Sequence, residues 1–324
     1  MSESGDYNPG PWSGHSFKSA RQTYDRHVGR SYSQAVSSDR DKSSFLEKKV
    51  ITQSTSPLVI ACDVTGSMGD WPATMFSKLP YLELEGKEYL GEDMEICFAA
   101  VGDAYTDKYP LQVRPFTSGT DLKKRLQQLI IEGNGGGQMK ESYELPALYF
   151  ANNCEMPNAI NPVFIYIGDE GLYDFVNKAH AKDWAYTKVD GRKNSKTVIE
   201  ELMSKFSVYL IRKPYQNGWS DNIGAKDRQI YQQWSNILGE ERISILPEAG
   251  RVVDTIFGIL AQETNRIDYF HEELVGRQTP QQVETVMKSL YTIHKGQGDS
   301  IRHSEEGESI MRRMKKAKGA KSLI

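Results

Sequence analysis

Cysteine is scarce in this chain: Cys62, Cys97 and Cys154 are the only three among 324 residues. None belongs to a C-x-x-C pair, and each lies in an apolar stretch. Scattered thiols of odd number exclude a disulfide framework and suit a reducing compartment. An excess of one charge is also missing. The 40 Lys and Arg nearly cancel the 43 Asp and Glu, leaving a net charge of −3, so no global field for nucleic acid or anionic membrane is implied. No apolar run is long enough to span a bilayer, and the N-terminal stretch is polar and lacks a signal-peptide core. The expectation is a cytoplasmic protein. The glycines between Gly133 and Gly137 are not followed by G-K-[ST], which excludes a phosphate loop. His15, His27, His180, His271, His294 and His303 show no H-E-x-x-H or comparable spacing, so no histidine metal site is expected.

What the chain does have is a short apolar run that ends abruptly: Pro57-Leu58-Val59-Ile60-Ala61-Cys62-Asp63-Val64-Thr65-Gly66-Ser67-Met68-Gly69. The run reads as a buried strand of a parallel sheet. Asp63, Thr65 and Ser67 then fall at alternating positions where the strand opens into a turn, and open α/β sheets bind ligands at the carboxyl ends of their strands. One carboxylate with two hydroxyls is an all-oxygen set. It suits a hard cation such as Mg²⁺, which keeps several waters and takes few protein ligands.

Strand patterns occur at Leu58–Cys62, Met94–Val101, Leu111–Phe116, Val163–Ile167, Val208–Ile211 and Ile243–Leu246. Helical patterns alternate with them: Asp121–Ile131, Glu141–Asn152, Leu172–Trp184, Lys196–Phe206, Ala225–Leu238 and Arg251–Thr264, with another helix starting near Trp71. This alternation predicts an α/β fold with a doubly wound, mainly parallel sheet and helices on both faces. The short connection before Leu111 predicts an antiparallel edge there. Residues 1–48, rich in Ser, Gly, Asp, Arg and Tyr, read as a flexible arm without a core. In it Trp12, Phe17, Tyr24 and Tyr32 are scattered aromatics. Residues 49–267 form the α/β domain, and 268–324 a helical C-terminal extension with a basic tail. Thr279 as cap and Pro280 at the first position predict a helix start in that extension.

Three segments together carry a family resemblance. Asp63-Val-Thr65-Gly-Ser67 resembles the D-x-[ST]-x-S motif of von Willebrand factor A (VWA) domains, the metal-ion-dependent adhesion site. Gly133-Asn-Gly-Gly-Gly-Gln138-Met-Lys-Glu141-Ser142 is similar to the glycine-rich second metal loop and the start of the helix behind it. Val163-Phe-Ile-Tyr-Ile-Gly-Asp169-Glu-Gly171 is similar to the strand that ends in the last acidic residue. The likeness spans roughly residues 55–265. It implies a metal set of Asp63, Thr65, Ser67, Gln138 and Asp169, holding Mg²⁺, or Mn²⁺ or Ca²⁺. Two positions depart from the family. Thr65 stands where serine is usual, and the middle loop has no threonine, leaving Gln138 as the match with Glu141 and Ser142 as substitutes.

The resemblance implies a non-catalytic, metal-dependent protein-binding module whose cation captures an acidic side chain of a partner. It also implies an adaptor role beside an AAA+ ATPase of the MoxR or chelatase class. The chain is expected to be a monomer on its own, with Asp63 at a solvent-facing strand end. Three rivals differ in class. RNA binding, as in Ro-like proteins, rests on the basic tail alone. A serine hydrolase would use Ser67, because Thr65-Gly66-Ser67-Met68-Gly69 is a near miss of G-x-S-x-G and Asp169 or Asp254 precedes His271. A phosphoaspartate enzyme needs a second aspartate where Thr65 stands. Gly102-Asp103-Ala-Tyr-Thr-Asp107 ends the second core strand as either acidic groups around the metal or a polar loop.

Overall fold

The computed structural model describes residues 41–69, 71–79, 82–119, 121–132, 139–215 and 224–293. The predicted apolar runs become six strands: β1 (Leu58–Asp63), β2 (Ile96–Val101), β3 (Leu111–Val113), β4 (Val163–Gly168), β5 (Ser207–Arg212) and β6 (Ile243–Ile245). They form one sheet in the order β6-β5-β4-β1-β2-β3. All neighbours are parallel except β3, which pairs antiparallel with β2 at the edge. The chain is therefore α/β with a central, mostly parallel sheet. β1 lies between β4 and β2, so both of its edges are hydrogen-bonded and its end is deep in the fold.

The ten helices among the described residues are α1 (Trp71–Lys78), α2 (Leu82–Leu90), α3 (Asp121–Gln127), α4 (Glu144–Asn153), α5 (Lys178–Trp184), α6 (Ser195–Met203), α7 (Ala225–Leu238), α8 (Val252–Glu263), α9 (Ile267–Arg277) and α10 (Pro280–Ser289). Alternation along the strands splits the core in two. Leu58, Ile60 and Cys62 join a cluster with residues of α1, α2, α8, α9 and α10. Val59 and Ala61 join a second cluster with residues of α4, α6 and α7. All three cysteines are free and buried.

Several expected boundaries move, each for a local reason. The helix expected from Leu172 starts only at Lys178, because Gly171–Leu172 pairs in parallel with Lys140–Glu141. Asn177 then caps α5, its side chain accepting from Ala179 N and His180 N. The same two-residue ladder delays the helix expected from Glu141 until Glu144. α3 ends at Gln127 rather than Ile131. The Gln112 side chain holds the Ile130 backbone at both its N–H and its carbonyl, each at 2.8 Å, in place of helical bonds. α2 has no counterpart among the expected helices, and α9 lies in the extension expected to be helical but carries no pattern of its own. Their sequences are heavily charged, but Leu82, Tyr89 and Leu90 of α2, and Phe270 and Leu274 of α9, are buried in the first cluster. Thr279 caps α10 with Pro280 in its first turn, as expected, and Gln282 completes a reciprocal capping box. Val283, Val286 and Met287 of α10 belong to the first cluster, so the described part of the C-terminal extension packs on the domain.

The arm boundary at residue 48 is corrected as well. Phe45 and Leu46 are buried in the second cluster. The Phe45 carbonyl accepts from Val113 N at 2.9 Å, the Ser44 carbonyl accepts from Arg114 Nη1 at 2.7 Å, and the Phe45 ring packs edge-on to Tyr109 at 4.7 Å. Residues 41–48 thus complete the edge beside β3. Phe45→Ala should destabilise the domain by about 3–5 kcal/mol, the usual loss for a buried Phe truncated in a core, read in denaturant unfolding. Trp12, Phe17, Tyr24 and Tyr32 and the basic tail after Ile310 lie outside the described residues.

Candidate metal centre

β1 and β4 are adjacent and parallel, so their carboxyl ends deliver Asp63 and Asp169 to one place. Beyond β1 the chain turns through a short 3₁₀ segment, Gly66–Met68, with Thr65 extended just before it. That turn brings Thr65 and Ser67 over the strand end. Asp63 Oδ1 accepts from Thr65 N at 2.8 Å and from Thr65 Oγ1 at 2.6 Å. Thr65 Oγ1 lies 3.2 Å from Ser67 Oγ, and Ser67 Oγ donates to Asp169 Oδ1 at 2.9 Å. Four of the five expected ligands are therefore joined in one chain of contacts. The fifth, Gln138, lies outside the described residues with the glycines before it.

Asp63 is fully buried, not solvent-facing as expected. Its Oδ2 accepts from Tyr143 Oη at 2.5 Å. Tyr143 is itself buried, packed edge-on to Tyr166 at 5.8 Å and Trp234 at 5.4 Å. Its hydroxyl passes over Gly168, where a Cβ would stand 1.9 Å from the oxygen. The last residue of β4 thus leaves the space that the Tyr143–Asp63 contact occupies. On the other side, Lys213 Nζ donates to Asp169 Oδ2 at 3.1 Å and also to the Ser67 carbonyl. Sequence reasoning missed both Tyr143 and Lys213. The only signal for Lys213 was its place immediately after the apolar run of β5, in register with the end of β4.

The substitutes for the loop threonine separate. Ser142 is occupied: its Oγ accepts from Ala104 N at 3.0 Å, and its N–H donates to the Gly102 carbonyl at 3.2 Å. Glu141 is buried, and its Oε2 has no hydrogen-bond partner among the described residues. The Gly102–Asp107 segment is a folded polar loop. Asp103 Oδ1 accepts from Tyr105 N and Tyr173 Oη, each at 3.0 Å, and Asp107 Oδ2 accepts from Asp103 N at 2.7 Å.

Acids outnumber cations at this end of the sheet. Asp63, Asp103, Glu141, Glu144, Asp169 and Glu170 are all buried. Lys213 pairs with Asp169, and Lys226 lies 3.5 Å from Glu170 Oε1. Burial, reinforced by the nearby Asp169 charge, pushes Asp63 up to about 7 against the hydrogen bonds from Thr65 and Tyr143. Burial raises Glu170 to about 7, with Asp169 adding to the shift. Glu141 is held well above the usual carboxylate range by burial and then by Asp63, Asp103, Asp107 and Glu170.

Glu144 is an enclosed acid that stands apart from the candidate ligands. It is 1 % exposed, its Oε2 is without a partner among the described residues, and burial pushes its carboxyl up to about 8. The unfolded chain would titrate near 4.3. Between those values the folded state holds the proton and the unfolded state does not, so stability falls as pH rises from about 4.3 to about 8. Glu144→Gln should flatten that part of the curve, gaining stability over the parent near pH 8 and little near pH 4. Denaturant unfolding across that range checks it.

The residues present fit a hard cation: two carboxylates and two hydroxyls converge, surrounded by buried acid with too few counter-charges. Among the described residues no group of three or more His, Cys, Asp or Glu is placed to hold a metal ion. Any cation here would depend on hydroxyl and water oxygens beside the two acids.

No protein-family model matches the chain, and no curated protein matches it in sequence. Among solved structures it is similar to the pilus adhesin SpaC from Lactobacillus rhamnosus GG in two crystal structures, one in an open conformation. The TM-scores are 0.45 and 0.46 at 11 % and 12 % identity, with 68 % of this chain covered in each case. The chain spans about a third of the adhesin's length, 32 % and 31 %. A likeness at that level assigns neither activity nor partner. No helix among the described residues is long and apolar enough to cross a membrane.

Proposed function

We propose that this chain is a metal-dependent protein-binding module of the VWA kind, with a doubly wound sheet and no catalytic turnover of its own. The observation that carries the reading is the unbroken run of contacts Tyr143–Asp63–Thr65–Ser67–Asp169 across two adjacent strand ends. Asp63, Thr65, Ser67 and Asp169 would hold Mg²⁺, with Gln138 or Glu141 as the loop contribution. When bound, the cation supplies an electron-poor centre with an open coordination position. The protein's own residues do the rest. Tyr143 and Thr65 N–H hold the Asp63 carboxylate, and the two hydroxyls, each donating to a carboxylate, keep oxygen lone pairs for a cation. With few direct carboxylates the centre favours an acidic side chain from a partner protein. An adaptor role beside an AAA+ ATPase is the cellular setting the sequence resemblance suggests.

The contacts of Ser67 support binding over hydrolysis. Its Oγ is engaged by Thr65 and Asp169, with no histidine among those contacts. Asp254 of α8, the other acid of the hydrolase reading, pairs at 2.9 Å with Arg251 just before the helix. The RNA-binding reading rests on the tail beyond the described residues. The test is calorimetric titration of the full chain with Mn²⁺ and with Mg²⁺, beside the Asp63→Ala and Asp63→Asn variants. Binding by the parent that both variants lose supports the site. Equal binding by parent and variants, or none by the folded parent, overturns it.

A further inference from the structure

We propose that Lys213 is a tethered competitor for the cation, an ammonium that occupies the Asp169 side of the site and must leave before the metal is fully held. The inference rests on the metal-site reading above. It goes beyond it by assigning a residue that sets the site's affinity against its ligand.

The placement follows from the backbone. Lys213 is the first residue after β5, and its N–H donates to the Gly168 carbonyl at 2.9 Å, extending the register of β4 and β5 by one residue. Pro214 follows, and the residue before a proline is held in extended conformation. Lys213 therefore leaves the sheet edge in a defined direction, one strand over from Asp169. Its Nζ reaches Asp169 Oδ2 at 3.1 Å and the Ser67 carbonyl, while Ser67 Oγ holds Asp169 Oδ1. The ammonium and a bound cation would thus share the same carboxylate and the same serine.

Exposure decides the energetics. The Asp169 side chain is fully buried, and that of Lys213 is 19 % exposed. A buried carboxylate needs a counter-charge, because leaving it unpaired in low dielectric is costly. Lys213 supplies that charge when no metal is present. When a divalent cation arrives, two positive charges compete for one screened-off carboxylate, and like charges at such separations repel strongly inside a protein. The long flexible stem and partial exposure give the ammonium a way out toward water. The result is a site that stays folded without metal and binds metal more weakly than its oxygen set alone would.

Two variants separate this role from a structural one. Lys213→Ala removes the stem and charge, and Lys213→Gln keeps a donor without charge. Mn²⁺ titrations of the full-length parent and both variants, with melting curves with and without Mn²⁺, give the readout. Each variant should bind Mn²⁺ tighter by at least tenfold, equivalent to ~1.4 kcal/mol. Each should melt below the parent without metal and gain more from added Mn²⁺ than the parent does. If Lys213→Ala fails to fold, Lys213→Gln alone decides. Equal or weaker Mn²⁺ binding by the folded variants overturns the role of Lys213 and leaves the site reading standing. Absence of Mn²⁺ binding by parent and variants alike, with folds intact, overturns both.

Discussion

Asp63→Ala should reduce Mg²⁺ and Mn²⁺ binding by at least about 100-fold, since even groups that only orient a metal ligand are worth about 10–100-fold. An acidic partner should be lost with the metal, because each is expected to tighten the other's binding by the same factor. The variant will not be structurally silent. Asp63 is fully buried and accepts from Thr65 N, Thr65 Oγ1 and Tyr143 Oη. Truncation strands these donors in a closed place, at about 1–3 kcal/mol for each left unsatisfied. Relief of repulsion between Asp63 and Asp169 offsets part of that. Asp63→Asn is the sharper probe: it keeps an acceptor for the Thr65 donors and removes the charge a cation needs. A stable Asp63→Asn protein without metal binding is the expected result. Retained metal affinity in that protein would place the ion elsewhere.

Gly168→Ala should be the most damaging single-methyl change in the site. The added Cβ would stand 1.9 Å from Tyr143 Oη and 2.8 Å from its Cζ. Contacts below about 3 Å do not persist, so the ring has to move. Tyr143 cannot move freely, because Tyr166 and Trp234 pack against it edge-on. Overpacking of this kind typically costs about 1–3 kcal/mol, and the lost hydrogen bond to a buried carboxylate adds about 1.5–3 kcal/mol. Unfolding in denaturant should therefore show a loss of ~2.5–6 kcal/mol, the sum of the two effects. The mechanism has a signature. In a Tyr143→Phe background the clashing oxygen is gone, so Gly168→Ala should cost clearly less there than in the parent, a coupling that a double-mutant cycle measures. Equal costs in both backgrounds would mean that the ring is not what fills the space.

These two expectations show what the sequence made visible. Asp63, Thr65 and Ser67 lie within five residues, and the turn that gathers them is local, so pattern alone sufficed. Asp169 was readable because it ends an apolar run that could only be a neighbouring strand. The antiparallel edge at β3 followed from a connection too short for a crossover. Tyr143 and Lys213 were hidden for a common reason. Each meets the site across the sheet rather than along the chain, 80 residues from Asp63 in one case and 44 from Asp169 in the other. A tyrosine in a glycine-rich stretch and a lysine at a strand end both have ordinary readings as packing and solvated charge. Phe45 and Leu46 were misread because one short apolar pair in a polar arm carries no periodicity; β3 gives them their partner. The charged faces of α2 and α9 masked narrow apolar stripes in the same way.

The most direct measurement is anomalous diffraction from crystals of the full chain grown or soaked with Mn²⁺, which scatters distinctly from protein atoms. The predicted result is one manganese peak between Asp63, Thr65, Ser67 and Asp169, with the Lys213 ammonium withdrawn from Asp169. A well-ordered site with no peak, and with Lys213 still seated on Asp169 at saturating Mn²⁺, would contradict the metal-centred reading.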